Sequence, residues 1–303
     1  MGPFAKCCRF RWTRMRAPLL WFASCMMSAA IRSKMGMHAE MKVLAIIGTP
    51  TKEKGFTTRT VEVLEQSLRR KCELQFEYLF LEDLNLSRCQ GYLTCVKFGE
   101  EQCPFHDEIA PIKAAIEAAD VVILASPVHC FNVSTLMKNM IDLFVYQMHR
   151  PQFFGKKAVV VTAAAGAGQN AVLKYLHKTA RIWGFDVVAQ FGTHAGLFKH
   201  ENYQPKLEAA AAKVADRIII EVERGKTAAP GLADLINFRV WRSVVARTRE
   251  ASPYDWNHWQ KAGWLEQDYY FPVRVNPLSN GLAALLERII GWAIKNGSVK
   301  PIT

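Results

Sequence analysis

The feature that most constrains this chain is an alternation of two kinds of segment. Lys42–Ile47 (KVLAII), Val121–Ala125 (VVILA) and Ala158–Thr162 (AVVVT) are short apolar runs, each followed by a loop rich in small and hydroxyl residues. A helical apolar pattern follows each loop. Runs this short and β-branched, with no polar face, read as strands buried on both sides. Glu73–Phe80 and Asp186–Phe191 read as two further strands. Helical patterns run from Thr57, over Ile109–Ala119 and Ser134–Met148, from the fourth-strand loop to about Trp183, and over Leu207–Val222. Thr57 or Thr58 can cap the first helix, and residues 81–106 read as a long loop. Strands alternating with helices imply an α/β fold, a five-stranded parallel sheet with helices on both faces. In the doubly wound order 2-1-3-4-5, ligands bind outside the carboxyl ends of the strands, at the switch between the first and third. Loops 48–57 and 126–133 flank that point.

Composition fits a globular chain. Half of the 303 residues are hydrophobic and 22% are charged, which excludes a disordered or collagenous protein. The net charge of +12 invites a nucleic-acid reading. Residues 1–40, however, hold seven cations (Lys6, Arg9, Arg11, Arg14, Arg16, Arg32, Lys34) against Glu40 alone, a net of +6. The central region shows no basic run interleaved with aromatics, so no nucleic-acid partner is expected. Within residues 1–40 a basic stretch precedes the apolar run Ala17–Ala30, the order of a secretory signal. That run is shorter than the ~20 residues a spanning helix needs. Met35, Met37 and Met41 offer later starts. Residues 1–40 are therefore read as a leader or mis-called start outside the fold, ahead of a signal or anchor. Eight cysteines in 303 residues are too few for a disulfide scaffold, and their usage fits a cytoplasmic protein.

The first loop, G48-T-P-T-K-E-K-G55-F-T57-T58, is not a P-loop, because its glycines are too far apart and no Lys follows Gly55. An NTPase is disfavoured. Thr49, Thr51, Thr57 and Thr58 make a hydroxyl cradle suited to a monoester phosphate, such as that of a flavin mononucleotide. An ordinary β–α turn with a Thr cap explains the loop equally well. The third loop, S126-P-V-H-C-F-N-V-S134, sets His129 and Phe131 at the switch point, where His129 reads as a cofactor contact or a surface strand end. The fourth loop, G166-A-G168-Q-N-A171, is a GxGxxA run after the wrong strand for a dinucleotide fingerprint. Its small residues let the backbone approach a flat ligand or pack on the sheet.

Cys89, Cys95 and Cys103 cluster in the loop after the second strand. Three thiols fall one short of the usual set for a four-iron cluster, and Tyr92 sits where a fourth would complete the run. With His106 they form a candidate zinc set, and three unligated thiols are the simplest alternative.

Five of the eight tryptophans, Trp241, Trp256, Trp259, Trp264 and Trp292, fall after residue 226. Leu232–Arg249 reads as a helix carrying Arg239, Arg242, Arg247 and Arg249. Ser252 and Pro253 can start a short helix. Ser279–Asn296 is amphipathic, with Leu282, Leu285, Leu286, Ile289, Ile290 and Ala293 at helical spacing and Gly297 able to end it. This tail is an oligomerisation element, a lid, or a membrane-surface patch. A homodimer or homotetramer is preferred and a membrane surface ranks below it. The four arginines are read as a solvated face ahead of a contact to a nicotinamide phosphate.

Taken together, these motifs resemble the flavodoxin-fold NAD(P)H-dependent FMN reductase family, especially its iron–sulfur flavoprotein branch. GTPTKEKGFTTRT looks like the family's GSPRxxGNT loop, and ADVVILASPVHCFNVSTLMKNMID looks like its AD-strand-PVY…S…LK…ID segment. CQGYLTCVKFGEEQCPFHDE is similar to its CxGCxxC…C…DD segment, and VTAAAGAGQN to its T-x-GG loop. The resemblance implies a flavodoxin-like domain over 41–226 and a helical extension over 227–303. It implies bound FMN, with NAD(P)H as donor and a small-molecule electron acceptor such as a quinone or flavin. Thr49, Thr51, Thr57 and Thr58 would hold the phosphate, Pro127, Val128, His129 and Phe131 one side of the ring, and Ala164, Ala165 and Gly166 the other. No acid or base is required. Tyr92 in place of a cysteine speaks against an iron–sulfur cluster, and Phe56 replaces the family's polar Asn. A flavin-binding electron carrier without turnover is the alternative function.

Overall fold

The structure, a computed structural model, describes residues 40–200 and 202–296; the leader and Gly297 lie outside them. Five parallel strands, β1 (Met41–Ile47), β2 (Leu74–Phe80), β3 (Val121–Pro127), β4 (Lys157–Ala164) and β5 (Asp186–His194), form one sheet in the order β2-β1-β3-β4-β5. The order is the one the alternation implies, with β1 between β2 and β3 in register Ile47 to Phe80 and Ala125.

Successive residues of the central strands point to opposite faces, and each face finds its own core. Leu44, Ile46, Val122, Leu124 and Val160 bury against one helical layer. That layer comprises α3 (His106–Ala118), α4 (Thr135–Leu143) and α5 (Gln169–Ile182), with α2 (Thr94–Lys97) beside it. Val43, Ala45, Ile47, Ile123 and Val161 bury against α1 (Phe56–Arg69) and α6 (Tyr203–Arg224). This double burial explains why these strands lack alternation.

Three local expectations are corrected. Helix α1 begins at Phe56 with Gly55 as its cap, and neither Thr57 nor Thr58 caps it. Segment 81–106 is not simply a loop, for it holds 3-10 turns at Leu81–Asp83 and Glu100–Gln102 as well as α2. The helix expected over Ser134–Met148 stops at Leu143 and tightens into a 3-10 turn, Val145–Met148. Beyond that stop Phe144 and Tyr146 turn inward and are buried, with Phe144 5.4 Å from the Trp183 ring.

The extension forms three helices, α7 (Leu232–Val245), α8 (Pro253–Lys261) and α9 (Pro277–Lys295). They enclose a separate aromatic core of Phe238, Trp259, Trp264, Tyr269 and Tyr270. Phe154, just before β4, inserts into it edge-on to Trp264 and Phe271. Arg181 pairs with Asp234, and Asp186, the first residue of β5, accepts the Ala228 N–H at 3.0 Å. The extension therefore docks at the amino-terminal ends of the strands. The described residues of the extension form no lid over the opposite, carboxyl ends.

Two of the extension's four arginines depart from the solvated face expected of them, whereas Arg247 and Arg249 are exposed. Arg239 is buried and bonds Asp268, Asn280 and Glu287, and Arg242 pairs with Glu287 and the Gln267 carbonyl. Neither is a solvated face nor turned to a nucleotide; both knit α7 to α9. Arg249 lies over the Trp256 ring at 4.3 Å. No helix among the described residues is long and apolar enough to cross a membrane.

Candidate functional site

The carboxyl ends of β1, β3 and β4 are joined by a relay of short bonds. Gly48 donates its N–H to the Ala125 carbonyl at 2.9 Å, continuing the ladder past β1. The Ser134 hydroxyl donates to the Gly48 carbonyl at 2.5 Å and accepts the Met137 N–H at 3.2 Å, capping α4. The Ser134 N–H donates to the Ser126 hydroxyl oxygen, and the Ser126 carbonyl accepts the Thr162 hydroxyl at 2.7 Å. A Cβ on Gly48 would lie 2.8 Å from the Met137 Cβ, so only glycine lets the first loop sit this close to α4.

The first loop then makes an anion-ready end on α1. Thr49 and Thr51 bring their hydroxyl oxygens to 3.0 Å of each other. A Cβ on Gly55 would lie 2.6 Å from the Thr51 Oγ1 and 3.1 Å from the Thr49 Oγ1. Gly55 thus keeps open the space on which the two hydroxyls converge. The first N–H groups of a helix have no carbonyl a turn behind them. No side chain caps them in α1, and its first turn contains no acid. Thr58 gives its proton to the Lys52 carbonyl at 2.6 Å, so its hydroxyl shapes the loop and its main-chain N–H faces the helix end. Thr57 is buried in the same turn. Positive dipole, unbonded N–H groups, two hydroxyls and no acid together fit a phosphate group.

The third loop folds into a two-residue hairpin tip. His129 and Asn132 exchange both backbone bonds, at 2.8 and 2.9 Å, and Cys130 and Phe131 between them have φ of 48° and 62°. Side chains normally avoid this left-handed region, at a cost of roughly 1–2 kcal/mol per residue. The turn leaves the Phe131 ring 67% exposed beside the switch point. In the fourth loop, Gly168 has φ of 98°, and a Cβ there would lie 2.8 Å from Val128 Cγ1 and 3.2 Å from Phe131 Cδ1. The structure so brings Val128, Phe131 and the fourth loop together. Pro127 ends β3 half-buried, and His129 is exposed. Ala165 and Gly166 are exposed and face open space at Gly166, whereas Ala164 is buried at the end of β4.

Sequence reasoning missed Ser134, Gly55 and Gly168 as site-builders. Ser134 carried a signal, a Ser before a helical pattern, which reveals the cap but not the bond back to Gly48.

The cysteine loop is anchored separately. The Cys89 N–H donates to the Asn139 side chain on α4 at 3.2 Å. The Cys95 carbonyl accepts from the buried Arg150 guanidinium at 2.7 Å. Burial pushes the Cys95 thiol up to about 11, with the nearby Cys103 sulfur adding to the effect. Among the described residues no group of three His, Cys, Asp or Glu is placed to hold a metal ion. Tyr92, at the position of the absent cysteine, is exposed.

A parallel sheet of order 2-1-3-4-5 is the flavodoxin-like order, in which ligands bind at the switch point between the first and third strands. The chain belongs to the NADPH-dependent FMN reductase family, whose model matches residues 41–196. FMN is that family's cofactor and NAD(P)H its donor, and this protein is a flavin oxidoreductase of that class. An iron–sulfur flavoprotein of Archaeoglobus fulgidus is 26% identical over 229 residues, covering 74% of this chain and 100% of the relative. An iron–sulfur flavoprotein of Methanocaldococcus jannaschii is 30% identical over 155 residues, covering 49% of this chain and 76% of the relative. Among solved structures, an FMN-dependent NADH-azoreductase of Bacillus anthracis aligns with a TM-score of 0.45 at 15% identity, over 58% of this chain and 100% of that one.

Proposed function

We propose that the protein takes electrons from reduced nicotinamide through FMN to a small acceptor, a quinone, a flavin or a similar molecule. The observation that carries this reading is the pairing of an acid-free helix end with an apolar shelf at one switch point. The N-terminus of α1 and the Thr49 and Thr51 hydroxyls would hold the phosphate, with Thr57 and Thr58 contributing main-chain N–H groups. Pro127, Val128, His129 and Phe131 would line one side of the ring, and the backbone of Ala164, Ala165 and Gly166 the other. Bound there, FMN supplies the hydride and electron chemistry. The chain's own part is to bind, orient and flank the ring. Ser134 and Ser126 hold the three loops at fixed spacing, and the hairpin tip keeps Phe131 against the approach. No side chain is assigned as acid or base.

The five described cysteines are all free, which supports a reducing, cytoplasmic setting. The test is purification with FMN followed by a visible spectrum and turnover with NADH and NADPH against quinone, flavin and dye acceptors. A flavin spectrum with NAD(P)H oxidation is expected. Protein that fails to bind added FMN would overturn the reading. Flavin binding without NAD(P)H oxidation would leave the electron-carrier alternative.

A further inference from the structure

Helix α9 is packed the opposite way round from an ordinary surface helix. Small residues take its inner face: Ala283 is fully buried, and a Cβ on Gly291 would lie 3.4 Å from the Ser243 hydroxyl of α7 and 2.6 Å from the Arg247 guanidinium just beyond it. Its one acid, Glu287, is turned inward onto Arg239 and Arg242. Leu286 and Ile290 are half-buried. The large apolar side chains Leu278, Leu282, Leu285, Ile289 and Trp292 all face out, from 46% to 85% exposed. Their spacing of four, three, four and three residues makes one continuous stripe along the helix. Such a patch on a folded protein marks an interaction surface.

The charges around the stripe choose between occupants. Arg288 and Lys295 flank it and are exposed, and among the described residues neither has an acidic partner. No acid of α9 faces outward. A second copy of the same helix would bring four cations around one seam and offer no acid in return. A lipid surface with anionic headgroups complements both parts, accepting the stripe among its acyl chains and the cations among its phosphates. We propose that α9 docks this protein flat on an anionic phospholipid membrane, with Leu278, Leu282, Leu285, Ile289 and Trp292 inserted and Arg288 and Lys295 at headgroup level. The helix lies on the bilayer and does not span it. The leader, also basic and then apolar, makes its contribution a necessary control.

The test is co-flotation of the full chain with vesicles of phosphatidylcholine alone and of phosphatidylcholine with phosphatidylglycerol. Binding is expected to the anionic vesicles, to weaken with salt, and to be near background on the neutral ones. Leu285→Asp and, separately, Arg288→Glu should each lower binding at least several-fold with the leader intact. Both side chains face outward, so unchanged tryptophan fluorescence would show that the fold is kept. No binding to anionic vesicles would overturn the proposal, as would binding that both variants retain, which would place it in the leader. A dimer in solution that Leu285→Asp splits, with no vesicle binding by the wild type, would assign the stripe to a second copy instead.

Discussion

The Ser134 hydroxyl reaches the Gly48 carbonyl at 2.5 Å across 86 residues of sequence. Through that bond the loop after β1 and the start of α4 move as one body. Removing the hydroxyl orphans a buried carbonyl and uncaps α4 in a single step. Ser134→Ala is expected to lower stability by about 1–3 kcal/mol and to weaken FMN binding. Urea denaturation and FMN titration of the same preparation would check both.

Gly55 has an ordinary extended backbone, φ −76° and ψ 144°, so Ala strains no dihedral there, and its Cβ must only push the Thr51 hydroxyl aside. That Cβ would fill the space between the Thr49 and Thr51 hydroxyls. Gly55→Ala is expected to leave stability within about 1 kcal/mol and to cut FMN affinity roughly tenfold, a change of 1.4 kcal/mol. Titration monitored by flavin fluorescence would measure it.

Arg150 is fully buried, bonded to Asp255 and Glu100, and lies 4.7 Å from the Tyr254 ring. Removing Asp255 leaves the buried guanidinium with one of its two carboxylates, Glu100, and takes the partner from His149. Asp255→Ala should cost about 3–5 kcal/mol and loosen the segment around Cys95, whose carbonyl the same guanidinium holds. Thermal unfolding, with hydrogen exchange over residues 93–103, would show both.

Thiolate, not thiol, reacts with alkylating reagents. With its thiol pushed up to about 11 by burial, Cys95 is almost wholly protonated at pH 8. Cys130 is exposed at the hairpin tip. Iodoacetamide labelling with peptide mapping should modify Cys130 first and Cys95 only on unfolding. Equal rates would contradict the described burial.

Acid should unfold the protein in two windows. Burial, aided by the Arg150 charge, lowers the His258 pKa below 6.5, so the unfolded chain takes up that proton first. Its contribution is present above about pH 6.5 and is lost as pH falls through the lowered value. Burial alone would raise Glu100, but a backbone hydrogen bond and Arg150 outweigh it and hold the carboxyl below 4.5. That contribution is present above about pH 4.5 and is lost as pH falls further. Melting temperature by tryptophan fluorescence from pH 8 to pH 3 should fall in both ranges.

The central strands were legible because β3 and β4 bury every residue but one, and burial on both faces leaves an unbroken apolar run. The hydroxyl-rich lining of the first loop was legible in its threonines. Which of them offers a hydroxyl was not, because Thr58 is committed to Lys52 by a bond that only the folded loop forms. The extension was least legible. Arg239 and Arg242 looked like a solvated face because their partner Glu287 lies 48 and 45 residues away. The stripe on α9 was visible as apolar periodicity. Periodicity alone does not say which flank is covered, and small residues rather than large ones took the inner face.

Phe154 reaches out of the segment before β4 into the aromatic core of the extension, while Asp255 reaches back to Arg150 and Trp259 donates its indole N–H to the His149 carbonyl at 2.8 Å. Cutting the chain near residue 226 would therefore not release a self-sufficient reductase. It would strip an aromatic ring of its cover and a buried cation of an anion. The flavodoxin-like half leans on an extension that sits at the far end of the sheet from the proposed site. Loss of activity in such a truncation would report a broken foundation, and would say nothing about whether the tail touches the flavin.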